Sequence, residues 1–104
     1  MTELGRQDGD TLTVDLRTRT FETWDELWDA LAEPCGLPSW FGRNLNAWWD
    51  TIQAGAISAV LDEHAFLLVL LGPSGMFVDG NDEGAAFLEV TNRSDYARAE
   101  VLGS

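Results

Sequence analysis

Asp50 is the residue whose setting invites chemistry. It lies in "LPSWFGRNLNAWWDTIQAG", residues 37–55, directly behind Trp48 and Trp49, where ten residues hold three tryptophans and one phenylalanine. At about 100° per residue, Leu45, Trp48 and Ile52 share one side of a helix that starts after Asn44. Asn46, Asp50 and Gln53 share an adjacent side, and Trp49 lies between the two sets. A carboxylate in mid-helix gains little from the helix dipole. Ahead of the helix, Trp40 and Phe41 flank a turn at Gly42. Large aromatics around a charge that loses water on binding make up a protein–protein hot spot. The plainer alternative packs both Trp48 and Trp49 in a core and leaves Asp50 solvated.

Other chemistry finds little support. Asp79, Asn81, Glu83 and Gly84 match the first half of a calcium loop, but Val90 stands where its last ligand, a bidentate glutamate, belongs. "GPSG" lacks the lysine and hydroxyl of a phosphate loop. His64 is the sole histidine and has no second ligand at metal spacing, which argues against both a metal centre and a histidine catalyst. Cys35, the sole cysteine, cannot form an internal disulfide and reads as a small packed hydrophobe. Acidic pairs are plentiful, yet 104 residues leave little room for a deep sugar cleft. No cofactor and no enzymatic activity are expected.

The elements that would position Asp50 are readable from pattern. "TLTVDL" alternates as a short strand, with Leu12, Val14 and Leu16 on one side. Thr23 and Glu26 form a capping box for a helix in which Trp24, Leu27, Trp28 and Leu31 recur at helical spacing, and Pro34 with Gly36 stops it. Asn44 suits the N-cap of the aromatic helix, and Gly55 its end. "AISAVLDEHA" can add a helical turn or two. "FLLVLLG" is apolar throughout, as in a strand covered on both faces. "PSGMFVDGNDEG" reads as a turn-rich loop, followed by a helix through about Tyr96 and a strand in "RAEVLG". About fifty residues of helix between two strands suggest a parallel crossover, hence an α/β fold. Residues 1–10 read as a flexible arm.

Charge narrows the partners. Six arginines, no lysine and eighteen acids give a net charge of −12. That repels phosphate backbones and anionic membranes; the charge reads equally as a device for solubility or as one that favours encounter with a basic partner. The arm lacks the apolar run of a secretory signal, and "AFLLVLLG" is too short to span a bilayer.

"LPSWFGRNLNAWWDTI" resembles the signature of barstar-type ribonuclease inhibitors: Leu-Pro, two aromatics, Gly, Asn-Leu, Ala, Trp-Asp and a hydrophobic residue. "VDLRTRTFETWDELWDAL" is similar to that family's first strand and helix, and "FLLVLLG" to its second strand; the resemblance runs over residues 11–72 and is loose beyond. It implies one domain, residues 11–104, built as a small three-stranded parallel sheet with helices packed against it. It also implies a cytoplasmic inhibitor, monomeric when free, that plugs a basic, guanyl-specific extracellular ribonuclease in a 1:1 complex. Asp50 would then stand in for an RNA phosphate, and Trp40 would pack on the catalytic histidine. Trp49 and Leu45 would line the contact, with Gly42 and Asn44 bringing backbone and amide groups close. Asn46 stands where an acid is usual, and Arg43 and Gln53 also depart from the pattern. Glu89 and Asp95 are both candidates for a second acidic contact. The competing reading is an acidic module for some other basic protein on the same scaffold.

Overall fold

The computed structural model describes residues 11–54, 63–78 and 80–102. The 1–10 arm, the end of the aromatic helix at Gly55, the extra turns after it, and Asp79 lie outside these residues.

Three strands, β1 (Thr11–Leu16), β2 (Phe66–Leu71) and β3 (Ala97–Val101), form one sheet in the order β1-β2-β3. Both pairings are parallel, with Val14 opposite Val69 and Val69 opposite Ala99. Helix α1 (Trp24–Cys35) and the short α2 (Leu45–Trp49) lie between β1 and β2, and α3 (Asp82–Arg93) lies between β2 and β3. The α/β architecture with a small parallel sheet is therefore as the sequence implies.

Local rules account for the helix ends. Thr23 and Glu26 exchange both capping-box hydrogen bonds at the start of α1. At its end Gly36 takes the left-handed conformation (φ 62), and the Leu37 N–H reaches back to the Ala32 carbonyl at 2.9 Å. That closure satisfies carbonyls the helix would leave open. Pro34 sits inside the last turn rather than beyond it.

The core is an aromatic stack laid on the sheet. Trp28 contacts Trp24, Phe41, Trp48 and Phe87, with ring centroids between 5.4 and 6.1 Å apart. Trp48 also stacks on Phe87 at 5.7 Å. Such offset and edge contacts add to the gain from burying large rings.

Two expectations need correction, and a third gains detail. The central strand is not fully covered on both faces: Leu67, Val69 and Leu71 are buried, whereas Phe66, Leu68 and Leu70 are only partly so. An apolar run reports burial, but not how completely each face is covered. The loop after β2 contains a 3-10 turn, Gly75–Phe77, whose Met76 and Phe77 enter the core. Helix α3 starts at Asp82 and ends at Arg93, earlier at both ends than the pattern suggests. Asn81 caps it by accepting from the Glu83 and Gly84 N–H groups, so these three residues of the supposed calcium loop form a helix start. Gly84 makes that start possible, because a Cβ there would collide with the Met76 carbonyl.

Candidate functional site

The loop 37–44 splits its aromatic pair. Phe41 turns inward against Trp28, while Trp40 is 68% exposed, the most exposed large hydrophobic residue described. A Phe41 N–H to Pro38 carbonyl bond of 3.0 Å closes a turn over residues 38–41, so the turn precedes Gly42 rather than centring on it. Asn44 then fastens loop to helix. Its side-chain oxygen accepts from the Ala47 N–H at 2.8 Å, and its amide nitrogen donates to the Gly42 carbonyl at 3.1 Å. Gly42 and Asn44 are both exposed.

The second aromatic pair divides the same way. Trp48 is fully buried, and its indole N–H donates to the Thr91 hydroxyl at 2.9 Å. Thr91 in turn donates to the Phe87 carbonyl, so α2 is pinned to α3 through a buried hydrogen-bonded chain. Trp49 and Leu45 are half-buried, and Asn46 and Asp50 are exposed.

At Asp50 the helix changes geometry. Residues 50–54 form a π-helical segment, with Asp50 its first residue. Isolated π turns of this kind concentrate at functional sites. The Asp50 backbone stays bonded to the Asn46 and Ala47 carbonyls. Its carboxylate is exposed and has no hydrogen bond or ion pair with any described residue. Its backbone is held while its carboxylate oxygens accept from no described residue.

The wider turn redirects Gln53. A purely α-helical reading groups it with Asn46 and Asp50. Instead Gln53 is half-buried, and its carbonyl oxygen accepts from the Ser94 hydroxyl at 2.8 Å and the Asp95 N–H at 3.2 Å. Each residue of a π turn lags its α-helical position, and by residue 53 the side chain meets the end of α3. Gln53 thus braces the segment that carries Asp50, with its acceptor already in use.

Arg43, the cation that would oppose a basic partner, is drawn away. It takes a left-handed backbone (φ 54) and reaches back to α1, donating to the Asp29 carboxylate at 2.8 Å and the Asp25 carbonyl at 3.0 Å. Glu89 is exposed but paired with Arg93 at 2.9 Å. Asp95 is exposed, and its backbone N–H is the one bound by Gln53.

Leu45, Asn46 and Trp49 come together with Val90 and Arg93 around a shallow hollow of about 250 Å³ between α2 and α3. Asn44, Leu45 and Asn46 also border a second hollow of about 350 Å³, floored by Trp24 and Trp28 and edged by Arg43. Sequence reasoning missed Val90 and Arg93. Their spacing on α3 marks them as neighbours of each other, but nothing local shows that they face α2.

Cys35 is fully buried, and burial pushes its thiol up to about 12. It packs as a hydrophobe and is inert as a nucleophile near neutral pH. Among the described residues, no cluster of side chains has the makings of a metal site.

The geometry therefore offers an exposed indole, a carboxylate with no partner among the described residues and a half-buried tryptophan on one loop and one braced helix. The family model described as Barstar (barnase inhibitor) matches residues 11–101. The chain belongs to the barstar family. The match extends through α3 and β3, well beyond the 37–55 stretch that carries the signature. No curated protein gives a significant match. Barstar-family proteins are inhibitors of barnase-like ribonucleases.

Proposed function

We propose that this barstar-family chain is a cytoplasmic, stoichiometric inhibitor of a basic, guanyl-specific extracellular ribonuclease. It binds 1:1 as a monomer and inserts the Asp50 carboxylate where the enzyme holds an RNA phosphate. The observation that carries this reading is the state of Asp50: exposed, free of partners among the described residues, and borne on a segment anchored at Trp48 and Gln53. A carboxylate held this way needs no ion pair broken before it meets a cluster of cations. Charge-assisted hydrogen bonds to arginine are shorter and stronger than neutral ones. Trp40, on the loop before the helix, supplies exposed aromatic surface and Trp49 a half-buried edge. Asn46, uncharged, limits the strongly anionic part of the contact. An interface of about 1,600 Å² is the ordinary size for such a complex.

The test is titration of the protein into small secreted guanyl-specific ribonucleases while RNA cleavage is followed. The expected result is a sharp equivalence point at one inhibitor per enzyme. Asp50→Ala should weaken the complex by roughly 2–5 kcal/mol, mainly through faster dissociation, because it leaves buried cations unpaired. That range includes values from this family's own barnase–barstar complex and is borrowed from it. Unchanged affinity in Asp50→Ala would reject phosphate mimicry. Charge reversals remote from residue 50 that matter as much as Asp50 would instead favour a general acidic binding module.

A further inference from the structure

The hollow between α2 and α3 is lined by the apolar residues Leu45, Trp49 and Val90 and by two polar ones, Asn46 and Arg93. Arg93 ends α3. Its only ion pair among the described residues is with Glu89 one turn back, and both side chains are about two-thirds exposed. An exposed i,i+4 pair of this kind is weak and easily screened. It gives way readily to a better acceptor.

A cation here is at odds with a surface that only attracts positive charge. Arg43 is pulled back onto Asp25 and Asp29, but Arg93 stays on the wall of the hollow, beside the half-buried Trp49. Asn46 brings no acid to balance it. Closing an interface over this hollow would desolvate the guanidinium, and a lysine or arginine opposite would add like-charge repulsion. An acid opposite would remove both costs.

We infer that the cognate ribonuclease places a side-chain carboxylate, from an aspartate or glutamate, in the α2–α3 hollow against Arg93, which makes Arg93 a specificity-determining residue. The inference rests on the inhibitor reading above and sharpens it. The planar guanidinium takes a carboxylate through two parallel hydrogen bonds. The Leu45, Trp49 and Val90 walls receive the apolar stem of that side chain and keep water from the pair. Asp50 then reports what ribonucleases share, and Arg93 what distinguishes one of them. Discrimination by an unmatched buried charge is a common way to reject wrong partners.

Arg93→Ala, Arg93→Glu and Asp50→Ala are compared with the wild type against a panel of purified small secreted guanyl-specific ribonucleases, after thermal melts show that each variant folds. The sign of one result is decisive. Arg93→Glu makes an already acidic protein more acidic by two charges, so simple attraction to a basic enzyme predicts tighter binding. The inference predicts the opposite: weaker binding of the best-inhibited nuclease by roughly 30-fold or more, with Arg93→Ala between. Changing the facing acid of that nuclease to lysine should restore binding of Arg93→Glu and impair the wild type. Equal or tighter binding by both Arg93 variants, with Asp50→Ala still disruptive, overturns this inference and leaves the inhibitor reading standing. Failure of the wild type to inhibit any nuclease overturns both.

Discussion

At the scale of single residues, neighbours of the same type are sent to opposite fates. Phe41 and Trp48 are buried, while Trp40 is exposed and Trp49 half-buried. The inward members build a platform, and the outward members form the surface it supports. Two buried indoles differ in a way that stability can report. The Trp48 N–H donates to Thr91, whereas the Trp28 N–H, though buried, finds no acceptor among the described residues. Replacing either by phenylalanine removes similar volume, but only Trp48→Phe breaks a buried hydrogen bond. Trp48→Phe should therefore cost about 1 kcal/mol more than Trp28→Phe. Paired urea melts check this, with the difference in midpoint read at unchanged m-value. An equal cost would mean that the bond to Thr91 adds nothing to the anchoring of α2.

At the scale of elements, α2 is too short to stand by itself. Five residues cannot repay helix nucleation in water. The helix persists because Asn44 caps one end, Trp48 is held in the core, and Gln53 braces the π segment beyond it. Asn44→Ala should destabilise the protein by about 1 kcal/mol, while Asn44→Ser keeps most of that stability. Chemical denaturation measures it, and equal loss in both variants would show that the cap is not the cause. Element ends set by local chemistry are legible in the sequence: the Thr23–Glu26 box, the Gly36 stop and the Asn44 cap all require only near neighbours. The start of α3 is not. Asn81 and Gly84 look like loop residues until Gly84 is seen against the Met76 carbonyl. The change to π geometry at Asp50 is equally hidden, and it moves Gln53 from the contact face to an internal brace. The Asn92 side chain adds a device no pattern announces, pairing with both backbone groups of Ala99 in β3.

At the scale of the whole molecule, charge is arranged rather than merely abundant. Arg17, Arg43 and Arg93 are each matched to an acid of their own neighbourhood, so a large excess of acid remains to act at a distance. If that field guides the protein to a basic nuclease, association should slow by about tenfold or more between low salt and roughly half-molar salt, with dissociation much less affected. Stopped-flow measurements at several ionic strengths test this, and an on-rate indifferent to salt would remove steering from the account.

The sequence by itself determined the α/β class and the family. Each of these is written in short-range terms: hydrophobic period, capping residues and one contiguous run of aromatics, amides and acid. Only the tertiary structure decided which way the candidate site faces and what borders it. Arg43 is held back by α1, Gln53 is claimed by Ser94, and Arg93 arrives from a helix some forty residues on. Those outcomes depend on the pitch of one turn and on how α3 lies across α2, which are set by packing between distant parts of the chain.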